Sequence, residues 1–426
     1  MRNKCIPILN RVVMVVVLAS PVANTQSESG TMLDQRTEEA ITLMNHFAER
    51  TGLTSTQPAK RYLWTDAFAV CNFLSLAHLT GDQQYTQLAL RLVDQVHHTL
   101  GKHRSDDSRS GWISGLSEQA GEQHPTQGGL RIGKTLPERG PKQAFDEQLE
   151  WERDGQYFHY LTKWMHALDQ VTRSTGQPQF NRWARELAAT AYQAFTYSPS
   201  CGAGPRRMYW KMSIDLKRAL VPSMGQHDPL DGYITNVQLI SSAIKLPHTR
   251  DEMNLANELG QWSAMIREVE LATADPLGIG GLLIDAYRVD QLLRQGAEID
   301  KQLLESLLSA ALKGLQYYVR RGELQLSAQY RLAFRELGLA IGLHAVQLLK
   351  QTADRDAKPS HTSAAALTHL KTFMEYTTVR DKIESFWRNP HNRLANTWSE
   401  HRDINEVMLA TVLAPEGFLV LVSHRD

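Results

Sequence analysis

The segment TDAFAVCNFLSLAHL, residues 65–79, is apolar on almost every side and contains no Lys, Arg or Glu. A helix that is apolar all round must be buried on every face. The neighbouring segments, residues 38–50 and 84–100, instead place apolar residues at spacings of three and four with charged residues between them. This spacing is typical of amphipathic helices with one wet face. The sequence therefore predicts a buried helix flanked by two outer helices.

The same alternation continues to the end of the chain. After the first mostly apolar segment, near Asp66, five more begin near Asp154, Asp231, Gly281, Glu336 and Asp403. Charged amphipathic segments lie between them at residues 180–195, 251–271, 301–319 and 364–387. The apolar segments are unevenly spaced, which argues against a short solenoid repeat. Six alternations predict an all-α fold, a single (α/α)6 toroid over residues 31–426 with buried helices inside and amphipathic helices outside.

Two regions interrupt the helical pattern with strand-like sequence. Residues 111–139 are rich in Gly, Gln and Ser and include a hairpin-like stretch at residues 128–133, while residues 207–216 alternate well enough for one strand. Long ordered insertions often form lids or rims. We therefore expect small β-hairpin insertions, the first covering the mouth of the toroid with Arg131 and Glu138 able to reach a ligand.

Composition excludes several classes of protein. Lys and Arg total 46 and Asp and Glu total 46, a balance that argues against a nucleic-acid-binding surface, a polybasic membrane anchor or a disordered acidic tail. Three cysteines cannot build a disulfide framework. Cys5 lies in the leader region, so Cys71 and Cys201 form at most one bridge.

The first 30 residues differ from the rest of the chain. Basic residues precede an apolar run at residues 12–19, and Ser20-Pro-Val-Ala23 follows it. This pattern resembles a secretory signal peptide and is too short to span a bilayer. The alternative is a translation start at Met14 or Met32. The protein is secreted or periplasmic if the leader is real and otherwise cytoplasmic, and no later segment is long enough for a membrane helix.

Aromatic residues accompany carboxylates where buried segments begin, in RYLWTD at residues 61–66, WERDGQY at residues 151–157 and QHDPLDG at residues 226–232. With the helical alternation, these segments make the chain resemble the (α/α)6 toroids, the superfamily of six-hairpin glycosidases and the related N-acylglucosamine 2-epimerase-like enzymes. The resemblance implies an all-helical fold that acts on carbohydrates. It matches no single family, so no catalytic residue is transferred from it.

The candidate site residues are those that open the buried helices. Free N–H groups at a helix start favour anions and polar ligands, and sugars need aromatic faces together with carboxylates. The residues expected to be catalytic are Asp154, His227, Asp231 and Asp403. The residues expected to bind substrate are Trp64, Asp66, Trp151, Glu152, Tyr157, Asp228, Trp398, His401 and Arg131. Because no Walker loop, HExxH or zinc-ligand spacing occurs, we expect neither a metal nor a cofactor.

Several interpretations of these residues stay open. Each Asp at a helix start is also a normal N-cap, and Arg335-Glu336 also suits a buried ion pair. The predicted function is glycoside hydrolysis by a carboxylate pair, with a small-molecule or oligosaccharide substrate. One alternative is a sugar epimerase that uses His227 and His401, with His159 and His344 expected to be core histidines. Another is a non-enzymatic toroid that binds glycans or proteins.

Overall fold

The computed structural model describes residues 25–199, 204–246, 255–355 and 362–421, with side chains from Gln35 onward. The predicted leader up to residue 24, and Cys201, lie outside these residues. The α-helices in chain order are α1 Thr25–Arg50, α2 Leu63–Thr80, α3 Gln83–Leu100, α4 Glu118–Gln123, α5 Glu147–Glu152, α6 Phe158–Thr175, α7 Pro178–Phe195, α8 Asp228–Lys245, α9 Ala256–Ile266, α10 Pro276–Arg294, α11 Lys301–Arg320, α12 Ala333–Arg355, α13 Ala364–Met374, α14 Thr377–Arg388, α15 Asn396–Ser399, α16 Arg402–Leu413 and α17 Glu416–Leu419. The strands are β1 Gln156–Tyr157, β2 Thr196–Tyr197, β3 Arg207–Met208, β4 Lys211–Met212 and β5 Ala219–Val221.

Six helices form a closed inner ring. Helices α2, α6, α8, α10, α12 and α16 each pack against the next one in this order, and α16 packs against α2. Each inner helix also packs against an outer one: α3 on α2, α7 on α6, α9 on α8, α11 on α10, α13 and α14 on α12, and α1 on α16. This arrangement confirms the predicted (α/α)6 toroid.

The contrast between inner and outer helices follows from their residues. Every residue of α2 from Leu63 to Ala77 is buried, as expected for a helix without a polar face. Helix α3 buries a single stripe that includes Ala89, Leu92, Val93 and Val96, and its other face is wet. The alternation in the sequence is thus an alternation between the inside and the outside of the ring.

The strand-like regions fold differently from the prediction. Residues 128–133 contain no strand, because their N–H groups bond to neighbouring segments: Leu130 to the Gln156 side chain, Arg131 to the Leu100 carbonyl and Ile132 to the Gly155 carbonyl. The single strand expected at residues 207–216 is instead the two short strands β3 and β4. Strand β4 lies between β1 and β5 in an antiparallel sheet, and β3 pairs with β2.

The last described residues close one end of the ring. The ring of Phe418 stacks on Phe68 with centroids 4.2 Å apart, and the Phe418 carbonyl is 2.9 Å from His166 Nε2. Gln170 and Gln291, in the later turns of α6 and α10, donate to carbonyls of the same segment. This segment therefore blocks the end at which the inner helices finish, which leaves the end at which they begin for a site. None of the described helices is long and apolar enough to cross a bilayer.

Candidate active site

The starts of the inner helices meet at one end of the ring, as six contacts show. The contacts in ring order are Tyr62 to Tyr160 between hydroxyls at 2.8 Å, His159 to Asp231 at 2.6 Å, His227 to the Leu271 carbonyl at 2.8 Å, Asp275 to Arg335 at 2.7 Å, Asn405 to the Phe334 N–H at 3.0 Å, and Lys60 to Asp403 at 3.8 Å. This end is called the mouth below. Most of the candidate residues of the sequence therefore lie at one end of the ring, although they do not form one cluster.

Four polar side chains meet at the mouth between α6 and α8. The α6–α8 cluster consists of His159, Lys163, Asp228 and Asp231. His159 and Lys163 are one turn apart on α6, so they lie on one face of that helix. Asp231 is buried and accepts hydrogen bonds from His159 Nδ1 at 2.6 Å and from Lys163 Nζ at 3.0 Å. One nitrogen of His159 and one oxygen of each aspartate lie within 4.8 Å of one another.

The two aspartates of this cluster differ in protonation. Burial raises the pKa of Asp228 to about 8, and the nearby charge of Asp231 adds to the shift. Burial also acts on Asp231, but the adjacent charges of Lys163 and His159 hold its pKa far below the usual range. Oδ2 of Asp228 is buried and has no hydrogen-bond partner among the described residues. At neutral pH a protonated carboxyl group therefore lies beside an ionised one, which is the usual basis for assigning an acid and a base.

Two carboxylates and an imidazole are also a ligand set for a divalent cation. In this cluster, however, both oxygens of Asp231 already accept hydrogen bonds. The ammonium group of Lys163 would repel a metal ion, and Asp228 would have to lose its proton. The residues therefore fit proton transfer better than metal binding.

Asp154 lies apart from this cluster. Its side chain is fully buried, and Oδ2 accepts from Arg131 at 2.6 Å and from Arg104 at 3.4 Å. Oδ1 accepts the N–H groups of Gly133, Lys134 and Gly155. With five donors around it, Asp154 anchors residues 104–134 to the start of α6. We therefore do not carry its expected catalytic role into the proposed mechanism.

The insertion reaches the mouth through a residue other than those predicted. Arg131 is buried against Asp154 and donates to two carbonyls, while Glu138 accepts from Arg109 and from the Ile214 N–H. Both side chains hold the insertion together, and their contact with a ligand stays a prediction. Lys134 points to the mouth instead, with Nζ 5.6 Å from the centroid of the Tyr62 ring.

Asp66 and Asp403 lie at another corner of the ring, between α1, α2 and α16. Asp66 is buried, accepts the Tyr62 N–H at 2.8 Å and pairs with Arg61 at 3.3 Å, and burial raises its pKa to about 6. The N-cap residue of α2 is Tyr62, so Asp66 is not the N-cap that the sequence left open and instead binds the N–H of that residue from within the helix. Asp403 is partly exposed and pairs with Arg50 at 2.7 Å.

The expected tryptophans occupy different environments. Trp64 is buried against Phe68, with ring centroids 4.4 Å apart, and Trp398 is buried in a stack on Trp387 at 5.7 Å. These two are core residues. Trp151 is 42% exposed and stands at the rim.

The predicted histidine pair is not brought together. His227 opens α8 and His401 opens α16, which are opposite positions in the ring of six. His401 is exposed and packs edge-on to Phe334. Burial lowers the pKa of His344 to about 4, as expected for a core histidine. The same expectation for His159 was wrong, since its side chain is 32% exposed and bonds to Asp231.

A continuous row of aromatic rings runs from the rim to the cluster. Successive centroids of Trp151, Trp210, Tyr157, Tyr160 and Tyr62 are 4.8, 6.3, 5.2 and 5.6 Å apart. This row is called the aromatic wall, and the exposed side chain of Glu152 lies beside it. Trp151, Glu152 and Tyr157 were predicted to bind substrate, and the structure places them together.

Sequence reasoning missed His159 and Lys163 as members of the site. The feature that could have identified them is Lys163, because a lysine is unusual in an inner helix that its neighbours bury. Arg335 and Glu336 form ion pairs with other residues and not with each other, as one interpretation of the sequence had suggested. Glu336 pairs with Arg331 at 2.6 Å, and Arg335 reaches Asp275 on α10.

By its closed ring of six helical hairpins, the chain is an (α/α)6 toroid, the fold that the sequence predicted. No protein-family model matches the sequence, and no curated protein matches it significantly. Among solved structures, a sugar epimerase from a ruminal bacterium is similar at 10% identity and a TM-score of 0.49, over 89% of this chain and 98% of that one.

Two further solved structures are similar. The GH76A alpha-1,6-mannanase from Salegentibacter sp. has 12% identity and a TM-score of 0.48, over 89% of this chain and 99% of that one. The cellobiose 2-epimerase from Bacillus thermoamylovorans has 9% identity and a TM-score of 0.43, over 82% of this chain and 87% of that one. These likenesses concern the fold, and the chemistry of the present chain is argued from its own residues.

Proposed function

We propose that the protein is a carbohydrate-active enzyme of the glycoside hydrolase type that works at the α6–α8 cluster. One arrangement carries this proposal: two buried carboxyl groups, Asp228 and Asp231, have oxygens within 4.8 Å of each other, and burial raises the pKa of Asp228 while adjacent cations lower the pKa of Asp231. Hydrolysis of a glycosidic bond needs one carboxylic acid to protonate the leaving oxygen and one carboxylate to meet the positive charge that develops at the anomeric carbon.

Each group has a defined role in this mechanism. Asp228 donates its proton to the glycosidic oxygen as the bond from that oxygen to the anomeric carbon breaks. Asp231 bonds to the anomeric carbon from the other side, and His159 and Lys163 keep it ionised and oriented. A water molecule then attacks the anomeric carbon and releases Asp231, while the carboxylate of Asp228 takes the proton of the water. Retaining enzymes place their carboxyl groups about 5 to 5.5 Å apart and inverting enzymes about 6.5 to 9.5 Å apart, so we expect retention of configuration.

The aromatic wall supports a sugar as the substrate. The faces of tyrosine and tryptophan rings pack against the C–H surfaces of sugars, while their hydroxyl and indole groups bond to polar atoms. Tyr160 lies 6.3 Å from the His159 ring, so a sugar on the wall reaches the cluster. The wall also excludes water from the reacting bond.

A sugar epimerase is the second candidate. It is favoured by the hydrogen bond from His159 Nδ1 to Asp231, which leaves Nε2 of the imidazole as a base held by a carboxylate. In that reaction His159 would remove a proton from a carbon next to a carbonyl, and Asp228 would return one to the opposite face.

The test is a screen of aryl glycosides and free sugars with product analysis by NMR. We expect release of the aglycone with retained anomeric configuration, and loss of this activity in Asp228→Asn and Asp231→Asn. Asp82→Asn is the matched control, since Asp82 only caps α3 and Asn also caps. Incorporation of solvent deuterium into a free sugar without cleavage would favour epimerisation. Binding of glycans without turnover by any variant would contradict both enzymatic proposals.

A further inference from the structure

Lys134 differs from the other buried or half-buried lysines near the mouth. Lys163 pairs with Asp231 at 3.0 Å, and Lys211 pairs with Glu150 at 3.0 Å. Lys134 makes no ion pair with any described residue, and its ammonium group lies over the Tyr62 ring. The side chain is half-buried, and Glu152 and Asp154 act on its charge without forming an ion pair with it, so the ammonium group keeps hydrogen-bonding capacity for an anion that binds from outside the chain.

The backbone of Lys134 is firmly held. Its N–H donates to Asp154 Oδ1 at 3.3 Å, and its carbonyl accepts from Arg104 at 2.7 Å. Burial lowers the pKa of Lys134, while the charges of Glu152 and Asp154 oppose that shift. The hydrogen bonds around Asp154 thus hold the ammonium group of Lys134 at the edge of the aromatic wall.

Further hydrogen-bonding groups continue from Lys134 across the mouth. The hydroxyl groups of Tyr62 and Tyr160 are 2.8 Å apart, so one of them donates to the other and the second keeps its proton for a ligand. Arg335 lies on the far side. Burial raises the pKa of Tyr160, and the charge of Arg335 lowers it. Arg335 pairs with Asp275, but its Nε is buried without a partner. A lysine, a pair of phenols and an arginine therefore lie side by side in space at the mouth.

We propose that the substrate is an acidic sugar, a hexuronic acid unit whose carboxylate binds Lys134 and the Tyr62–Tyr160 hydroxyl pair. This inference rests on the proposed function and specifies its substrate class. A carboxylate suits the groups present, since it accepts one charge-assisted bond from the ammonium group and one bond from the free phenol. The sugar ring then lies along the aromatic wall with its anomeric carbon towards Asp231.

Binding tests this inference without requiring turnover. Methyl hexuronides in the gluco, galacto and manno series are titrated into the protein by calorimetry, each beside its neutral methyl hexoside. We expect at least one hexuronide to bind about 10-fold more tightly than its neutral partner, the effect of roughly one charge-assisted bond. Lys134→Met should abolish this preference and leave the affinity for the hexoside within about 2-fold, whereas Lys134→Arg should retain the preference.

The matched control is Lys142→Met, which removes an exposed lysine of the same segment. Equal binding of every hexuronide and its hexoside by the wild-type protein would overturn the inference. Equal weakening of both ligands by Lys134→Met at an unchanged melting temperature would also overturn it, because the lysine would then act on the sugar and not on its carboxylate. If the hexuronide preference holds while no glycoside is cleaved, the proposed function fails and the anion site stands.

Discussion

Two buried aspartate sites at the mouth look alike in sequence and differ in hydrogen bonding. Asp154, just before α6, accepts from Arg104, Arg131 and three backbone N–H groups. Asp228, at the start of α8, keeps one buried oxygen without any partner among the described residues. A carboxylate whose acceptors are all used stabilises a fold. A buried carboxyl oxygen without a hydrogen-bond partner costs stability. An active site requires such an arrangement, in which an acid with a raised pKa lies beside an ionised partner.

The largest difference is expected from Asp228→Asn. Asn resembles the protonated acid in shape and charge but cannot give up a proton. We expect turnover on a glycoside substrate to fall by about 10² to 10⁴, and the melting temperature at pH 7 to rise above that of the wild type, because Asp228 must take up a proton on folding and Asn does not. Steady-state kinetics and calorimetry on the same preparation measure both effects. A variant with wild-type turnover would remove Asp228 from the mechanism.

The opposite result is expected at the anchor. Asp154→Ala leaves the guanidinium group of Arg131 buried without its carboxylate and frees three N–H groups. The free energy of unfolding should fall by about 3 to 5 kcal/mol, measured by urea denaturation. The variant should lose activity only in proportion to its unfolded fraction. A stable protein with no turnover would instead make Asp154 catalytic, as the sequence first indicated.

The raised pKa of Asp228 gives a pH dependence with a defined sign. The pKa is about 8 in the folded state and 3.8 in the reference state, so between these values the folded protein holds more protons than the unfolded one. Stability from this group is therefore complete below pH 3.8 and is lost as the pH rises to about 8. Turnover should fall about fivefold between pH 8 and 9, where the acid ionises. The melting temperatures of the wild type and of Asp228→Asn, measured across this pH range, isolate this contribution. If both proteins show the same dependence of melting temperature on pH, Asp228 has an ordinary pKa.

The smallest effect is expected from Asp403→Asn. Asp403 is partly exposed and pairs with Arg50 at the surface, away from the α6–α8 cluster. Surface ion pairs contribute about 1 kcal/mol or less, so both stability and turnover should stay close to those of the wild type. A loss of turnover as large as that of Asp228→Asn would move the site to the corner between α1 and α16.

The fold could be predicted because burial leaves a direct trace in sequence. The apolar helix at residues 65–79 and its amphipathic neighbours specify inside and outside without reference to any partner. The alternation at residues 207–216 could not separate β3 from β4, because the two strands join different sheets: β3 pairs with β2, and β4 pairs with β5 and with the sequence-distant β1.

The site could be predicted only to the level of helix starts. Asp154 and Asp231 have the same local setting, and what separates them is the set of donors that distant segments supply. His159 was assigned to the core because its neighbours are apolar, yet one turn later Lys163 marks the polar face that α6 turns towards Asp231. Arg131 and Lys134 differ by three positions, and only the fold decides which of them reaches the mouth.

The most direct test of the central claim is the titration of the two carboxyl groups of the cluster. Protein with 13C-labelled aspartate carboxyl groups is followed by NMR from pH 4 to 10, with Asp228→Asn and Asp231→Asn to assign the signals. We predict one carboxyl signal that titrates near pH 8 and is absent from Asp228→Asn. The signal of Asp231 should remain that of a carboxylate throughout this range. If no aspartate carboxyl group titrates above pH 6, the cluster holds two ordinary carboxylates, and the proposed acid and nucleophile are contradicted.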